Sequence, residues 1–470
     1  MIRRPAPAGP SQADRSPALF WILQLAFIAV NVVLAVWMPK HGAAAMWHGR
    51  FTLLGGVIVA MLFSRPAPAA YAAAYITGCE VFWRMKKAEL PWEMGKYAVI
   101  LVLGMAIIRS GKLKRSFLPA AYFVLLLPSC ILGLGVYKGD DMREQLTFNL
   151  LGPLALAVCA VFFASVPLSV QELRNTLICL IGPVTGVAIL GSQMLQEKNI
   201  EFNADVSNSV ASGGYGPNQV AAILGLGMLA ILVYLALGVP SKLMLFSMMG
   251  LFVLMLRQCI LTFSRGGLYM LVGAVIAGGF FLVRDRKQRK RLFMGGSILA
   301  VVLVAYLLPR VEKMTRGAVG ERFSSIDTTG RSLLIQADIE TFFRNPVLGI
   351  GPGLGEKNRL KYFRVGTAHT EWTRMLAEHG TLGFLSIIAI FALALANLRR
   401  AETPRDKAIA AAFMAYAFLH MCVDATRLVA PSFAFGLGTW TVFRARRRTV
   451  AVPAKIVRPR PPGVPARVAV

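Results

Sequence analysis

Along this 470-residue chain, apolar runs of membrane-spanning length alternate with short polar loops. Ala18 to Met38, Gln145 to Ser169 and Asn218 to Gly238 are three such runs. Each reaches the roughly 18 residues that a helix needs to cross a hydrocarbon core about 30 Å thick. The pattern predicts helices at 18–38, 46–63, 68–84, 95–110, 116–136, 145–168, 172–195, 218–238, 241–261, 265–283, 292–309, 380–398, 408–429 and 432–444. Several are short, so about 12–14 crossings are expected. Helices satisfy their own backbone hydrogen bonds in lipid, so the expected fold is an all-α integral membrane protein, a polytopic helical bundle. Two long polar segments, 196–217 and 310–379, interrupt the pattern, and the amphipathic character of the second predicts a large folded loop. Residues 1–16 and 450–470 are rich in Pro, Ala and Arg and read as disordered tails, which leaves 17–449 as one transmembrane domain. No repeat of fixed period is present.

Charge refines this picture. The formal net charge is +28, from 51 Lys and Arg against 23 Asp and Glu. Most of these cations sit in short loops between apolar runs, which points to membrane topology and anionic headgroups. No basic folded module remains that would bind nucleic acid. The richest loops are 284–291, 399–407 and 109–115, and a basic tail carries Arg444, Arg446, Arg447 and Arg448. Placing these in the cytoplasm puts both termini inside and both long polar segments outside. Arg84, Lys86 and Lys87 then fall outside, against the rule. The first apolar run is too long for a cleavable signal and lacks a small-residue cleavage site, so it is expected to remain as the first helix. The six cysteines lie in or beside apolar runs without metal-type spacing and read as small buried apolar residues.

Side chains capable of chemistry cluster on the expected outer face. In Thr262-Phe263-Ser264-Arg265-Gly266-Gly267, Ser264 reads as the N-cap of the next helix, and Arg265 stands where free backbone N–H groups already favour an anion. Its guanidinium suits two-pronged phosphate binding, while a cation snorkelling to the interface is the plainer alternative. Arg257 is a second basic residue, two turns earlier. In the large loop, Arg331 begins a predicted interfacial helix that Asn345-Pro346 stops, followed by Gly349, Gly351 and Gly353, which suit a tight turn or a close approach to a ligand. His369 is the side chain best suited to accept a proton near neutrality, with His379 as its rival. His369, Trp372 and His379 share a face at helical spacing. Glu378 and Glu371 suit either orienting His369 or, more plainly, capping and surface charge. Tyr215 and Asn218 flank the next helix start, where Tyr215 suits sugar contact and Asn218 hydrogen bonding. Asp424 and Arg427 read as an internal ion pair.

At these residues the chain resembles the O-antigen ligase family, whose domain is shared with O-antigen polymerases and some protein O-oligosaccharyltransferases. The matching motifs run in family order: Gly216-Pro217-Asn218, Ser264-Arg265-Gly266, Gly330-Arg331, Asn345-Pro346-Val347-Leu348-Gly349-Ile350-Gly351-Pro352-Gly353, Ala368-His369, then Glu378-His379-Gly380 and Gly383. They cover roughly residues 205–390. Two departures stand out: Thr370 follows His369 where many members carry Asn, and Val210 stands where many carry Arg.

The resemblance implies a metal-independent glycosyltransferase of the GT-C type in the bacterial inner membrane, without a cofactor and with a periplasmic active site. The implied donor is an undecaprenyl-diphosphate-linked glycan, and the acceptor lipid A–core or, in a polymerase, a second glycan chain. His369 matches the family's catalytic histidine, and Arg265 and Arg331 match its donor-binding arginines, with Arg257 as possible support and Ser264, Tyr215, Asn218 and Glu378 around them. A polysaccharide or lipid transporter or flippase is the alternative of another class. Against it stand charges gathered at one face and the absence of an inverted repeat.

Overall fold

The computed structural model describes residues 17–111, 117–134, 136, 139–197, 201–284, 286–324, 331–362, 366 and 368–440. Both expected tails, the arginines at 444 and 446–448, and Gly330 lie outside the described residues.

Apolar runs become helices throughout. They are α1 (Pro17–Trp37), α2 (Ala44–Leu62), α3 (Ala67–Met85), α4 (Met94–Ser110), α5 (Phe117–Val124), α6 (Cys130–Leu134), α7 (Asp140–Ser165), α8 (Val170–Glu197), α9 (Pro217–Ala236), α10 (Lys242–Leu261) and α11 (Gly266–Leu282). There follow α12 (Arg286–Val301), α13 (Leu308–Thr315), α14 (Ala318–Ser324), α15 (Arg331–Arg344), α16 (Gly355–Arg359), α17 (Glu371–Arg400), α18 (Pro404–Val423) and α19 (Ala430–Gly438). Among the described residues, nine helices are long and apolar enough to cross a membrane, and α11 is a shorter apolar one. The chain is a polytopic helical membrane protein.

Several expected spans differ. The run predicted at 116–136 breaks into α5 and α6, with Pro128 in the turn between them. Helix α3 occupies its predicted place but carries Glu80 and Arg84 in its second half, and α19 is a buried nine-residue helix. The run predicted at 292–309 extends through a π-helical stretch, Val302–Leu307, into α13.

Small residues let the helices close on one another, since apolar lipid supplies no hydrophobic drive between them. A Cβ on Gly225 of α9 would stand 2.7 Å from the Gly267 carbonyl of α11, and one on Gly278 would stand 3.0 Å from the Ala408 carbonyl of α18. The helices α9, α11 and α18 therefore touch backbone to backbone, and α3 packs on α8, which α1 covers.

The strongest departure from expectation is α17. The helix expected to begin near Gly380 starts at Glu371 and bends at Gly380, whose backbone leaves helical geometry at φ 59°, ψ −139°. The glycine-rich segment after α15 is fitted to this bend. Gly349, Gly351 and Gly353 all have positive φ, where a Cβ is strained. Ile350 and Gly351 donate backbone hydrogen bonds to the carbonyls of Ala377 and Glu378, at 3.1 and 2.9 Å, and Thr381 donates to that of Pro346 at 2.7 Å. The carbonyls freed by the bend thus find partners. The three glycines serve this docking of loop on helix.

Candidate functional site

The polar residues singled out in the sequence collect where helix ends meet. Chain direction alternates through α9, α10, α11, α17 and α18, so the α10–α11 turn, the start of α9, the start of α17 and the end of α18 share one end of the bundle. Hydrogen bonds join them. Ser264 Oγ donates to Asn218 Oδ1 at 2.8 Å, and Gln219 Nε2 donates to Asp424 Oδ1 at 3.1 Å. The basic loops that follow α11 and α17 lie at the opposite end.

Ser264 is therefore not the N-cap of α11; Arg265 holds that position, and the Ser264 hydroxyl crosses to α9. Arg265 and Ser264 follow Phe263, whose φ of 57° turns the chain sharply. Arg322 of α14, 6% exposed, braces this turn: its Nε donates to the Phe263 carbonyl at 3.1 Å, and its Nη1 to those of Ala204 and Asp205. One arginine thus ties both long polar segments to the α10–α11 turn.

His369 lies in a bend before α17, half-buried. It does not join the helical face expected to hold Trp372 and His379, because the helix begins after it. Its Nδ1 is buried and has no hydrogen-bond partner among the described residues. Desolvation, followed by the charges of Arg427, Arg331 and Arg359, lowers the imidazole to about 4. Arg331 is itself held below its usual value, first by desolvation, with Asp424 opposing and the charges of Arg265 and Arg427 adding to the depression. His369, Arg331, Arg265, Arg427 and Asp424 thus occupy one electrostatic neighbourhood. Arg257 stands apart. Its Nη2 lies 3.7 Å from Met314 Sδ, and no described contact joins it to the other arginines.

Sequence reading underestimated three members of this group. Asp424 and Arg427 do form the expected ion pair, at 3.7 Å, but both reach further. Arg427 Nη2 donates to the Ala368 carbonyl at 2.7 Å, which anchors the residue before His369. Asp424 is fully buried, its Oδ2 without a hydrogen-bond partner among the described residues, and burial raises its carboxyl to about 6 against the pull of Arg427, Arg331 and Arg84. Arg84, the cation that offended the topology rule, is turned inward. It pairs with Glu80 at 2.8 Å, donates to Tyr215 Oη at 3.0 Å, and reaches the Arg427 carbonyl at 3.5 Å. Its place opposite Arg427 was invisible in a sequence where the two are far apart.

Glu378 does not orient His369, and neither Glu378 nor Glu371 is a surface charge. Both are buried in a network centred on Arg374. Arg374 meets Glu371 through Nη2 and Nε at 2.6 and 3.1 Å, Glu378 at 2.7 Å, and the side chain and carbonyl of Asn149 at 3.2 Å. Arg359 joins Glu378 to Asp338 of α15, which also accepts from Thr373 at 2.8 Å. This network fixes the loop helices to α17 and α7. It borders a narrow cleft whose lining includes Ala368, Arg427, Arg359 and Glu356. The rival histidine, His379, is fully buried, with Nδ1 2.5 Å from Ser129 Oγ. Among the described residues, no group of three or more His, Cys, Asp or Glu is arranged to hold a metal ion.

Set together, Arg331 and Arg427 with the imidazole of His369 can hold an anion beside a group able to take a proton. The O-antigen ligase family model matches residues 250–388, a stretch that contains Arg257, Ser264, Arg265, Arg331, His369 and Glu378. No curated protein matches the chain. The matched domain implies a glycosyltransferase of the ligase or polymerase type, acting on lipid-linked glycans. Carried on a bundle of apolar helices, the stretch 250–388 is thus similar to the O-antigen ligase domain, which supports placing the chain with the O-antigen ligase and polymerase family.

Proposed function

We propose that the protein is an O-antigen ligase-like enzyme that moves a glycan from an undecaprenyl-diphosphate carrier to lipid A–core on the periplasmic face of the inner membrane. One observation carries this reading: an imidazole whose Nδ1 has no partner among the described residues sits in the field of Arg427 and Arg331, and Arg331 in turn lies in the field of Arg265. The position of the basic loops at the far end of the bundle supports an outward-facing site with cytoplasmic termini.

The donor diphosphate lies against Arg265 and Arg331. Their charge offsets the negative charge that grows on the leaving phosphate oxygen as the sugar C1–O bond breaks. An acceptor hydroxyl attacks C1, and its proton passes to His369. The neutral state of His369 fits this role. In the free protein desolvation, and after it the arginines, hold its basicity down; the bound diphosphate cancels part of the arginines' field, so the imidazole becomes a better base when donor is present. Tyr215, Asn218 and Ser264 shape the wall, while Glu378 acts on the fold. The arginines supply the positive charge a metal would, so transfer proceeds in excess EDTA.

The test is transfer by purified protein in detergent, where vectorial transport has no meaning. His369→Ala abolishes product while leaving expression and melting temperature unchanged; normal transfer by this variant overturns the reading. A polymerase would share the donor chemistry and use a second glycan chain as acceptor. Deleting the gene separates the two on a lipopolysaccharide gel: a ligase loses the whole ladder, and a polymerase leaves single-unit bands.

A further inference from the structure

Beside the arginine cluster, a wide cleft opens between the α3–α4 connection and the turn before α9. Trp92 stands at its edge, 58% exposed although it is among the largest apolar side chains in the protein. The guanidinium of Arg84 covers the Trp92 ring at 4.6 Å, and Tyr215 lies beside it, ring centres 6.1 Å apart and tilted by 60°. The Arg84 Nη2 also donates to the Trp92 carbonyl at 2.9 Å, so both indole and backbone are fixed. Tyr215 Oη accepts from Arg84, and its own proton meets no described acceptor. Lys87, exposed and held at φ 48°, and Leu90, Pro91 and Met94 complete the wall.

We propose that this cleft is a glycan subsite, in which a pyranose ring lies against Trp92 with its hydroxyls facing Tyr215 and Lys87. A pyranose presents C–H bonds on its face and hydroxyls around its rim. The slightly positive C–H hydrogens suit the negative face of an indole, and a cation on the opposite face leaves the ring fixed for stacking. The rim needs donors and acceptors at the edges, which Tyr215 and Lys87 supply. A lipid chain would instead need an unbroken apolar slot, and Glu80, Arg84 and Lys87 interrupt this one. The subsite is also coupled to the reaction centre. Arg84 touches Tyr215 and the Arg427 carbonyl, and Arg427 holds Ala368 beside His369. This inference rests on the glycosyltransferase reading for its purpose, though not for its binding chemistry.

The ring belongs to the donor glycan or to the acceptor glycan, and the test separates the two. Full-length protein is placed in lipid nanodiscs free of maltoside detergent. The probe is the phosphate-free oligosaccharide released by mild acid from the host's lipid-linked glycan, and binding is read by saturation-transfer NMR. The expected result is saturation of ring protons with wild type, roughly tenfold weaker binding with Trp92→Ala, and near-normal binding with Trp92→Phe, which keeps an aromatic face. His369→Ala binds the probe as wild type does. In transfer assays Trp92→Ala raises KM for one glycan partner at unchanged kcat, and titrating donor and acceptor separately tells which. Equal binding by wild type and Trp92→Ala overturns the subsite, as does saturation confined to the acyl chains of the nanodisc lipid. Should His369→Ala prove active while Trp92→Ala still loses the oligosaccharide, the catalytic reading falls and the subsite stands.

Discussion

Arg427 donates a 2.7 Å hydrogen bond to the carbonyl oxygen of Ala368, the residue that precedes His369. The same guanidinium is the foremost charged neighbour depressing the imidazole, after desolvation. One side chain thus sets both the position and the basicity of the proposed base. A nearby positive charge disfavours imidazolium, so removing it raises the histidine. Arg427→Ala should move the acid limb of the kcat/KM profile upward, from about 4 part of the way toward 6.5, and should lower transfer through the loosened segment. The profile of kcat/KM against pH checks this; a limb that stays in place would contradict the assignment of His369.

Arg265 and Arg331 are proposed to act through paired hydrogen bonds to phosphate oxygens, which an ammonium cannot reproduce. Arg265→Lys and Arg331→Lys should each lower transfer on the order of 100-fold, the scale of losing one preorganised charge-stabilising donor. Full-length folding should be retained, because lysine keeps the charge. Steady-state transfer at saturating acceptor measures the effect.

The bend at Gly380 depends on a conformation that disfavours any side chain. An added Cβ there would also lie 2.6 Å from the Gly349 nitrogen and 2.7 Å from the Pro346 carbonyl. Gly380→Ala should therefore cost well over the ~1 kcal/mol of the φ penalty alone. It should appear as poor yield or a lowered melting temperature in size-exclusion thermal assays, whereas Gly104→Ala, which meets no neighbour, should behave as wild type.

Arg374 neutralises two buried carboxylates and satisfies Asn149. Breaking such a network by removing one member leaves buried charge without a partner, at a cost of about 3–5 kcal/mol. Arg374→Ala should fail in folding, with loss of monodisperse protein. Arg374→Ala combined with Glu371→Gln and Glu378→Gln should recover part of the yield, since the stranded charges are then gone.

His379→Ala should mirror His369→Ala. Its imidazole is sealed against Ser129, so the loss falls on stability, with transfer per folded molecule preserved. Thermal melting and specific activity, measured on the same preparation, separate the two histidines.

The membrane-spanning character of the chain was legible in the sequence because it is a local property. An uninterrupted apolar run of sufficient length has few alternatives in a bilayer, and the boundaries of α2, α9, α10 and α11 follow their runs within a few residues. The ordered motifs likewise pointed to the family before any coordinates, and Asn345-Pro346 marked the end of α15. Local rules failed where a residue's conformation answers to a distant partner. Nothing within a few residues of Gly380 indicates that the helix enters and leaves it bent; the glycine segment from 349 onward, packed against it, decides that. Glu378 and Glu371 read as surface charge for the same reason, since their partner Arg374 is near in sequence but the wall that buries them comes from α7 and the loop helices.

What the sequence by itself determined was that the chain is built of long apolar segments suited to lipid, and which residue types stand at their ends. Tertiary structure alone decided which of those end residues meet. A charge in a low-dielectric bundle must find a partner or a purpose, and that demand can be read from composition. Which partner it finds depends on the packing order of the helices, and this order joins Arg84 to Arg427 and both to the segment of His369, across separations that no local periodicity records.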